Sequence, residues 1–132
     1  MNPEAADLWR RAIRSLSSAR LLAEPDPDRS ASTAYYAAFY AVSAILTFEG
    51  GTTKSHQQVE AWLHRELIKT GRWSKERGQE YAELTQARRV GDYGGEQHVS
   101  VARARQAVEA GERILRAVVA GVPNFADVAP LE

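Results

Sequence analysis

The sequence predicts an all-α protein, an up-and-down bundle of four main helices with a fifth short helix as an option. Three observations predict this class. From residue 30 to residue 48 no side chain carries a full charge, which indicates a buried helix. In the segments before and after this stretch, apolar residues recur three and four positions apart. No segment shows the period-two alternation of a strand, so we expect no sheet.

Length and composition limit what the chain can be. Its 132 residues suit one domain. We assign residues 1–121 to the helical domain and 122–132 to a C-terminal tail, with Leu131 and Glu132 set aside as candidate vector-derived residues. The absence of cysteine excludes thiolate chemistry and fits a reducing compartment. The opening residues contain no apolar segment, so we expect no signal peptide and a cytoplasmic location. Basic and acidic residues are equal at 17 each, which predicts no general attraction to nucleic acid, although a local patch remains open.

The first helix is predicted over Glu4–Ala23. Its apolar stripe consists of Ala5, Leu8, Ala12, Leu16, Ala19 and Leu22. Four basic residues lie mostly off that stripe: Arg10, Arg11, Arg14 and Arg20. We favour a solvated face for them over a phosphate-contacting edge. Pro25 and Pro27 then end the helix.

The central helix is predicted over Arg29–Gly51, capped by Asp28 or Ser30 and ended by the glycine pair at its end. It carries four aromatic rings close together: Tyr35, Tyr36, Phe39 and Tyr40. Its length would also suit a bilayer, but the tyrosines, serines and threonines along it argue against a membrane span. Because the helix is apolar on more sides than a four-helix monomer needs, we expect a homodimer.

A third helix should begin near Ser55, because Ser55 and Gln58 form a capping-box pattern. Its apolar stripe is Val59, Trp62, Leu63 and Leu67, and Gly71 ends it. Lys54, Ser55 and His56 would then lie at a helix N-terminus, where free amide groups favour an anion. The alternative, which we favour slightly, is that Ser55 only caps the helix and His56 is a surface residue.

A fourth helix, capped by Ser74, places Arg88 on the same stripe as Tyr81 and Leu84. A guanidinium on the core-facing side must be paired or face a cleft, and Asp92 one turn later can pair with it. One interpretation is a structural ion pair that closes the bundle. The other is that Arg88, oriented by Asp92, binds a phosphate. Tyr93 follows, and Gly94 with Gly95 breaks the helix.

The last helix should begin between Glu96 and Ser100 and end at Gly121. Its stripe is Val101, Ala104, Val108, Gly111, Leu115 and Val118. The tail either docks through Phe125 or is mobile. Three histidines lie far apart in the sequence, His56, His64 and His98, and none forms a metal-binding pair. We therefore expect no metal and no cofactor.

Three motifs in order resemble the HEPN domain family, in its small stand-alone prokaryotic branch. They are the Ser-x-x-Tyr-Tyr-Ala-x-Phe-Tyr-Ala helix at 32–41, the Lys-Ser-His loop at 54–56, and the Arg-x-x-x-Asp-Tyr motif at 88–93. The resemblance covers Ala5–Val119. It implies a symmetric dimer whose seam contains Arg88, Asp92 and Tyr93. It also implies a minimal nucleotidyltransferase as partner, in a toxin–antitoxin-like pair, and a site for nucleotide or RNA phosphate.

The resemblance also raises the question of a ribonuclease activity. HEPN ribonucleases work without metal and carry an arginine followed, after four to six residues, by a histidine that moves the 2′-hydroxyl proton. Here Arg88 matches the arginine, but Tyr93, Gly94 and Gly95 occupy the histidine positions. His98 lies beyond the spacing, so His56 or His98 would have to be brought in by the fold or a dimer mate.

We therefore expect a non-catalytic or weakly catalytic binding module. Two alternatives remain: a ribonuclease toxin that uses an unorthodox base, with Arg88, Tyr93, His56 and His98 as weak catalytic candidates, and a purely structural dimeric bundle. By the same resemblance, Tyr93 is a candidate for nucleotidylation.

Overall fold

The computed structural model describes residues 1–52 and 55–132. These residues form six α-helices and no strand, which confirms the all-α prediction. The helices are α1 (Pro3–Leu22), α2 (Pro27–Phe48), α3 (His56–Trp62), α4 (Lys75–Tyr93), α5 (Val101–Gly121) and α6 (Asn124–Val128). A π-helical segment, Leu63–Ile68, continues α3. Lys54, predicted as part of an anion site, lies outside the described residues.

Helix α2 is the centre of the bundle. It packs most extensively on α1 and then on α5 and α4, while α3 closes one side. Within the described residues, α2 is the helix whose length and composition would allow it to cross a membrane, but 78% of its apolar window is buried inside the protein. The long uncharged stretch is therefore explained by burial in the core.

The start of α2 differs from the prediction. Asp26 is the N-cap, and its side chain accepts a hydrogen bond of 3.2 Å from the Arg29 amide. Pro27 fits the first helical position because it has no N–H to satisfy, so the helix begins earlier than the sequence suggested. The predicted caps have other roles. Asp28 accepts a hydrogen bond from the Val99 amide at 2.7 Å, and Ser30 donates to the Ala19 carbonyl at 2.7 Å.

Four other predicted helix ends and starts are confirmed. Gly50 has a φ of 96° directly after α2, and Gly71 has a φ of 80° after the π-helical segment. Both conformations favour glycine. Ser55 and Gln58 form both hydrogen bonds of the capping box at the start of α3. Ser74 is the N-cap residue of α4, although its side chain makes no capping hydrogen bond to the helix.

The tail is docked, which is one of the two alternatives that the sequence left open. Phe125 is fully buried, and its ring centroid lies 5.3 Å from that of Trp9. The Trp9 indole donates a hydrogen bond of 2.9 Å to the Ala129 carbonyl. Leu131 is partly buried against the same core. The last helix therefore completes the end of the bundle that α1 and α2 form.

Candidate functional site

Arg88 lies on the inner side of α4, as its spacing from Tyr81 and Leu84 predicted. Both of those residues are fully buried, and the Arg88 side chain is 19% exposed. Its guanidinium carbon lies 5.1 Å from the ring centroid of Tyr35, 5.4 Å from that of Tyr36 and 5.8 Å from that of Tyr93. Three tyrosine rings therefore surround the cation at cation–π distance.

The polar contacts of Arg88 leave much of its guanidinium free. Nη2 donates a hydrogen bond of 3.3 Å to the Tyr36 hydroxyl. Nε lies 3.3 Å from Oδ2 of Asp92, but it is buried and its N–H has no aligned acceptor within the described residues. Burial lowers the pKa of Arg88, but the electrostatic effects of Tyr36, Tyr35, Tyr93 and Asp92 outweigh it, so the pKa lies above its ordinary value. The side chain is a permanent cation with spare donors.

Asp92 is oriented from the central helix. The Ser32 hydroxyl donates a hydrogen bond of 3.1 Å to Oδ2 of Asp92, the same oxygen that faces Arg88. Sequence reasoning did not name Ser32 as a site residue. The available signal was its position one helical turn before Tyr36, which places both side chains on one side of α2.

His56 is part of the same cluster. Its ring stacks on Phe39 with the centroids 4.3 Å apart, and Nδ1 lies 2.7 Å from the Tyr35 hydroxyl. His56 is therefore half-buried and held by α2, not a simple surface residue. Burial, together with the positive charge of Arg88, lowers the pKa of His56. A lowered pKa favours the neutral imidazole, which can accept a proton.

Tyr81 is a member of the cluster that the sequence placed only in the core. Its ring packs edge-to-face on Tyr35 at 5.9 Å. The Tyr81 hydroxyl is buried and has no aligned hydrogen-bond partner among the described residues. Burial raises its pKa well above the ordinary value. The signal that could have found it is general: a buried tyrosine hydroxyl usually needs a polar partner.

The remaining predicted residues lie around or outside this cluster. Tyr93 is 73% exposed and Tyr40 is partly exposed, with the Tyr40 ring 6.0 Å from that of Tyr36. Ser55 caps α3. His98 is not part of the cluster's contacts: its Nδ1 lies 2.7 Å from Oδ2 of Asp28, in an exposed pair. Among residues 1–52 and 55–132 there is no group of three potential ligands that could hold a metal ion.

An open polar cleft of about 450 Å³ lies beside Asp92. The first two turns of α2, including Arg29, Ser32 and Thr33, form one wall, and Gly91 with Asp92 forms the other. The Ser32–Asp92 hydrogen bond therefore lies at the edge of an open cleft next to the Arg88 cluster.

Comparisons with known proteins define the class to which this bundle and its arginine–tyrosine cluster belong. The family model of the HEPN domain matches residues 5–122, so the chain belongs to the HEPN domain family. This confirms the resemblance drawn from the three motifs.

Two relatives refine this assignment. A UPF0332 protein of Thermotoga maritima is 41% identical over 90 residues, which cover 67% of this chain and 68% of the relative. A UPF0332 protein of Gloeobacter violaceus is 38% identical over 96 residues, which cover 72% of this chain and 76% of that protein. The chain is thus similar to a small family within the HEPN proteins.

Proposed function

We propose that this HEPN domain is a binding module that holds a phosphate group of a nucleotide or of an RNA strand at Arg88. One observation carries the proposal. Three tyrosine rings and Asp92 fix the guanidinium, yet only one of its N–H donors, on Nη2, has an aligned acceptor within the described residues. A fixed planar fork with spare donors suits the oxygens of a phosphate.

The surroundings of Arg88 support a nucleotide more than a bare anion. The Tyr93 ring is largely exposed beside the guanidinium, and Tyr36 is partly exposed. Aromatic faces next to a phosphate-binding arginine are the usual platform for an unstacked base. The zero net charge means that this attraction is local, not a property of the whole surface.

The test is a binding titration of the full chain with a 5′-nucleotide and a short single-stranded RNA. We expect Arg88→Gln to weaken binding at least tenfold, because hydrogen bonds to a charged group contribute about 1.5–3 kcal/mol. Arg88→Lys should weaken it as well, because the charge remains but the fork is lost. Arg89→Gln, a neighbouring exposed arginine, is the matched control and should bind like the wild type. Unchanged affinity in Arg88→Gln would refute the proposal.

A purely structural dimeric bundle is the competing interpretation, since Arg88 and Asp92 already form an ion pair. It predicts that no nucleotide raises the melting temperature of the wild type. It also predicts that Arg88→Gln mainly lowers that temperature. A thermal-shift series on both proteins decides between the two interpretations.

We also propose a minimal nucleotidyltransferase as partner, in a toxin–antitoxin-like pair, on the strength of family membership. The exposed Tyr93 hydroxyl next to a phosphate-binding arginine is consistent with nucleotide transfer to that oxygen. In that step the Tyr93 oxygen would bond to the α-phosphorus of ATP, pyrophosphate would leave and the phenolic proton would be released. Incubation with ATP and a nucleotidyltransferase encoded next to this chain should therefore add the mass of one nucleotidyl group to the wild type and none to Tyr93→Phe. Equal modification of Tyr93→Phe would contradict the assignment.

A homodimer is proposed from the packing of α2. Helix α1 packs on α2 but makes no extensive contact with α4, and the Tyr40 ring remains partly exposed on α2. A second copy would cover this ring. Light scattering should show a dimer that Tyr40→Glu weakens, whereas Leu21→Glu, at a residue 78% exposed on α1, should leave it intact. A wild-type monomer at high concentration would refute this proposal.

Metal-independent RNA cleavage is the second candidate function, and the position of His56 favours it. The sequence lacks the expected histidine after Arg88, but the fold places His56 against the same tyrosine rings. In EDTA, the wild type should then cleave RNA, and Arg88→Ala and His56→Ala should not. His98→Ala should retain activity. Cleavage that persists in both site variants would exclude this mechanism.

A further inference from the structure

His56 and Arg88 approach the same two aromatic rings from different helices. The His56 ring centroid lies 5.7 Å from that of Tyr35, and the guanidinium carbon of Arg88 lies 5.1 Å from it. For Tyr36 the two distances are 5.6 Å and 5.4 Å. The two groups therefore share two ring neighbours, and the positive charge of Arg88 contributes to the lowered pKa of His56.

The charges around His56 come from three helices. On α2 it faces the phenols of Tyr35 and Tyr36, and burial raises the pKa of Tyr35, so this phenol stays neutral. On α4 the facing groups are Arg88 and its partner Asp92. Tyr81, also on α4, lies against Tyr35, and its raised pKa keeps it neutral. On α3, Glu60 acts electrostatically on Tyr35 and Tyr81. The neighbouring Lys54 lies outside the described residues.

The hydrogen bonds of His56 can accommodate either protonation state. In the neutral state the Tyr35 hydroxyl donates to Nδ1 of His56. In the imidazolium, Nδ1–H would donate to the Tyr35 oxygen, and the phenolic proton would need another acceptor. The buried Tyr81 hydroxyl has no aligned partner in residues 1–52 and 55–132. It packs against Tyr35 and can supply that acceptor.

We propose that binding of an anion at Arg88 is coupled to the uptake of a proton by His56. The inference rests on the proposed function, because it concerns the phosphate at Arg88. Without ligand, the Arg88 charge and partial burial keep the imidazole neutral. A bound anion offsets the Arg88 charge, and the imidazolium becomes a second cation beside the ligand. By thermodynamic reciprocity, protonation of His56 strengthens anion binding by the same factor.

The experiment uses two probes whose charge is constant between pH 5 and pH 8, sulfate and a thymidine dinucleotide with one phosphodiester. A phosphate monoester is unsuitable, because it loses a proton near pH 6. Affinity should be about tenfold tighter at pH 5.5 than at pH 8. Proton NMR of the histidine rings should show that saturating ligand moves the His56 titration midpoint to higher pH, with His64 and His98 as internal references.

Variants isolate the coupling from binding itself. In Arg88→Gln without ligand, the His56 midpoint should move to higher pH, because the facing cation is gone. His56→Gln should still bind but lose the pH dependence, and the matched control His98→Gln should retain it.

Each adverse outcome identifies what has failed. If the dinucleotide binds through Arg88 while the His56 midpoint and the affinity do not respond to pH or ligand, the inference is refuted and the proposed function stands. If neither probe binds at any pH, both are refuted.

Discussion

A guanidinium removed from bulk water loses hydration that contacts within the protein must replace. At Arg88 most of these contacts are with aromatic rings. Three tyrosine rings lie within cation–π distance, but among the described residues only one carboxylate approaches, and its geometry is not that of an aligned hydrogen bond. Rings stabilise a cation without using its N–H donors. The residue is therefore both held in place and available to a ligand.

Removal of the hydroxyl should affect the free energy of unfolding differently at two buried tyrosines. Within the part of the chain that the structure describes, the Tyr81 hydroxyl has no aligned partner, so Tyr81→Phe should change the free energy of unfolding by less than about 0.5 kcal/mol or stabilise the protein. Tyr35→Phe removes the hydrogen bond to His56 and should destabilise by about 1 kcal/mol. Urea unfolding of both variants measures the difference. Equal losses would show that Tyr81 donates to a partner as effectively as Tyr35.

Also at the residue scale, we expect the contribution of Asp28 to folding stability to depend on pH. The Val99 hydrogen bond, and then that of His98, lowers the pKa of the Asp28 carboxyl below its usual range. A carboxyl with a lowered pKa contributes stability above its unfolded-state pKa and loses it as pH falls through the folded-state pKa.

Asp28→Ala should therefore lower stability by about 1–2 kcal/mol at pH 7 and by less as pH falls below about 4. Thermal melts of wild type and variant from pH 7 to pH 3 give the difference. Glu24→Ala, an exposed acidic residue in the preceding turn, is the control. A difference that does not change with pH would show that the carboxylate charge plays no part.

At the scale of elements, one close approach sets where α4 meets α2. A Cβ atom on Gly91 would lie 2.5 Å from the backbone oxygen of Asp28. Only glycine permits this contact, since the obstacle is backbone and cannot rotate away. The contact positions the last turn of α4, which carries Asp92 and Tyr93.

Gly91→Ala should accordingly destabilise the protein by about 1–3 kcal/mol through overpacking, and it should displace the Arg88 cluster. Gly121→Ala is the matched control. It lies at the end of α5 with no atom within 4 Å of an added Cβ, and it should be neutral or slightly stabilising. Chemical denaturation supplies both values. A wild-type stability in Gly91→Ala would mean that α4 can shift freely.

At the scale of the molecule, the bundle is completed by its tail. Phe125 is fully buried between Trp9 and Phe48, so the short α6 joins α1 and α2 at one end of the fold. The tail therefore contributes to the core although it lies past the last long helix.

Phe125→Ala should cost about 3–5 kcal/mol, the usual loss for a buried aromatic side chain. Tryptophan fluorescence during urea unfolding is a suitable measurement, because Trp9 contacts the lost ring. Asp127→Ala, at an exposed position of the same helix, should have little effect. A small loss in Phe125→Ala would show that the tail is only loosely attached.

The family, the helical class and most helix ends followed from the sequence, because they depend on local signals. Apolar spacing, the Ser55–Gln58 capping box and the glycines after α2 and after the π-helical segment act over a few residues. The predicted cap of α2 was wrong. Pro27 allows the helix to start earlier, and the Asp28 side chain accepts a hydrogen bond from Val99, a residue 71 positions away. A long-range partner of this kind leaves no local pattern.

The sequence by itself determined that Arg88 and Asp92 share one side of a helix, because residues four apart always do. Only the tertiary structure decided that Tyr35, Tyr36 and His56 come to the same place. The tyrosines lie on α2, His56 lies on α3 and Arg88 lies on α4. How these helices pack depends on the summed fit of many side chains, which no single motif encodes. The pairing of Arg88 with Asp92 therefore follows from spacing within one helix, whereas the assembly of the whole cluster follows from the packing of three helices.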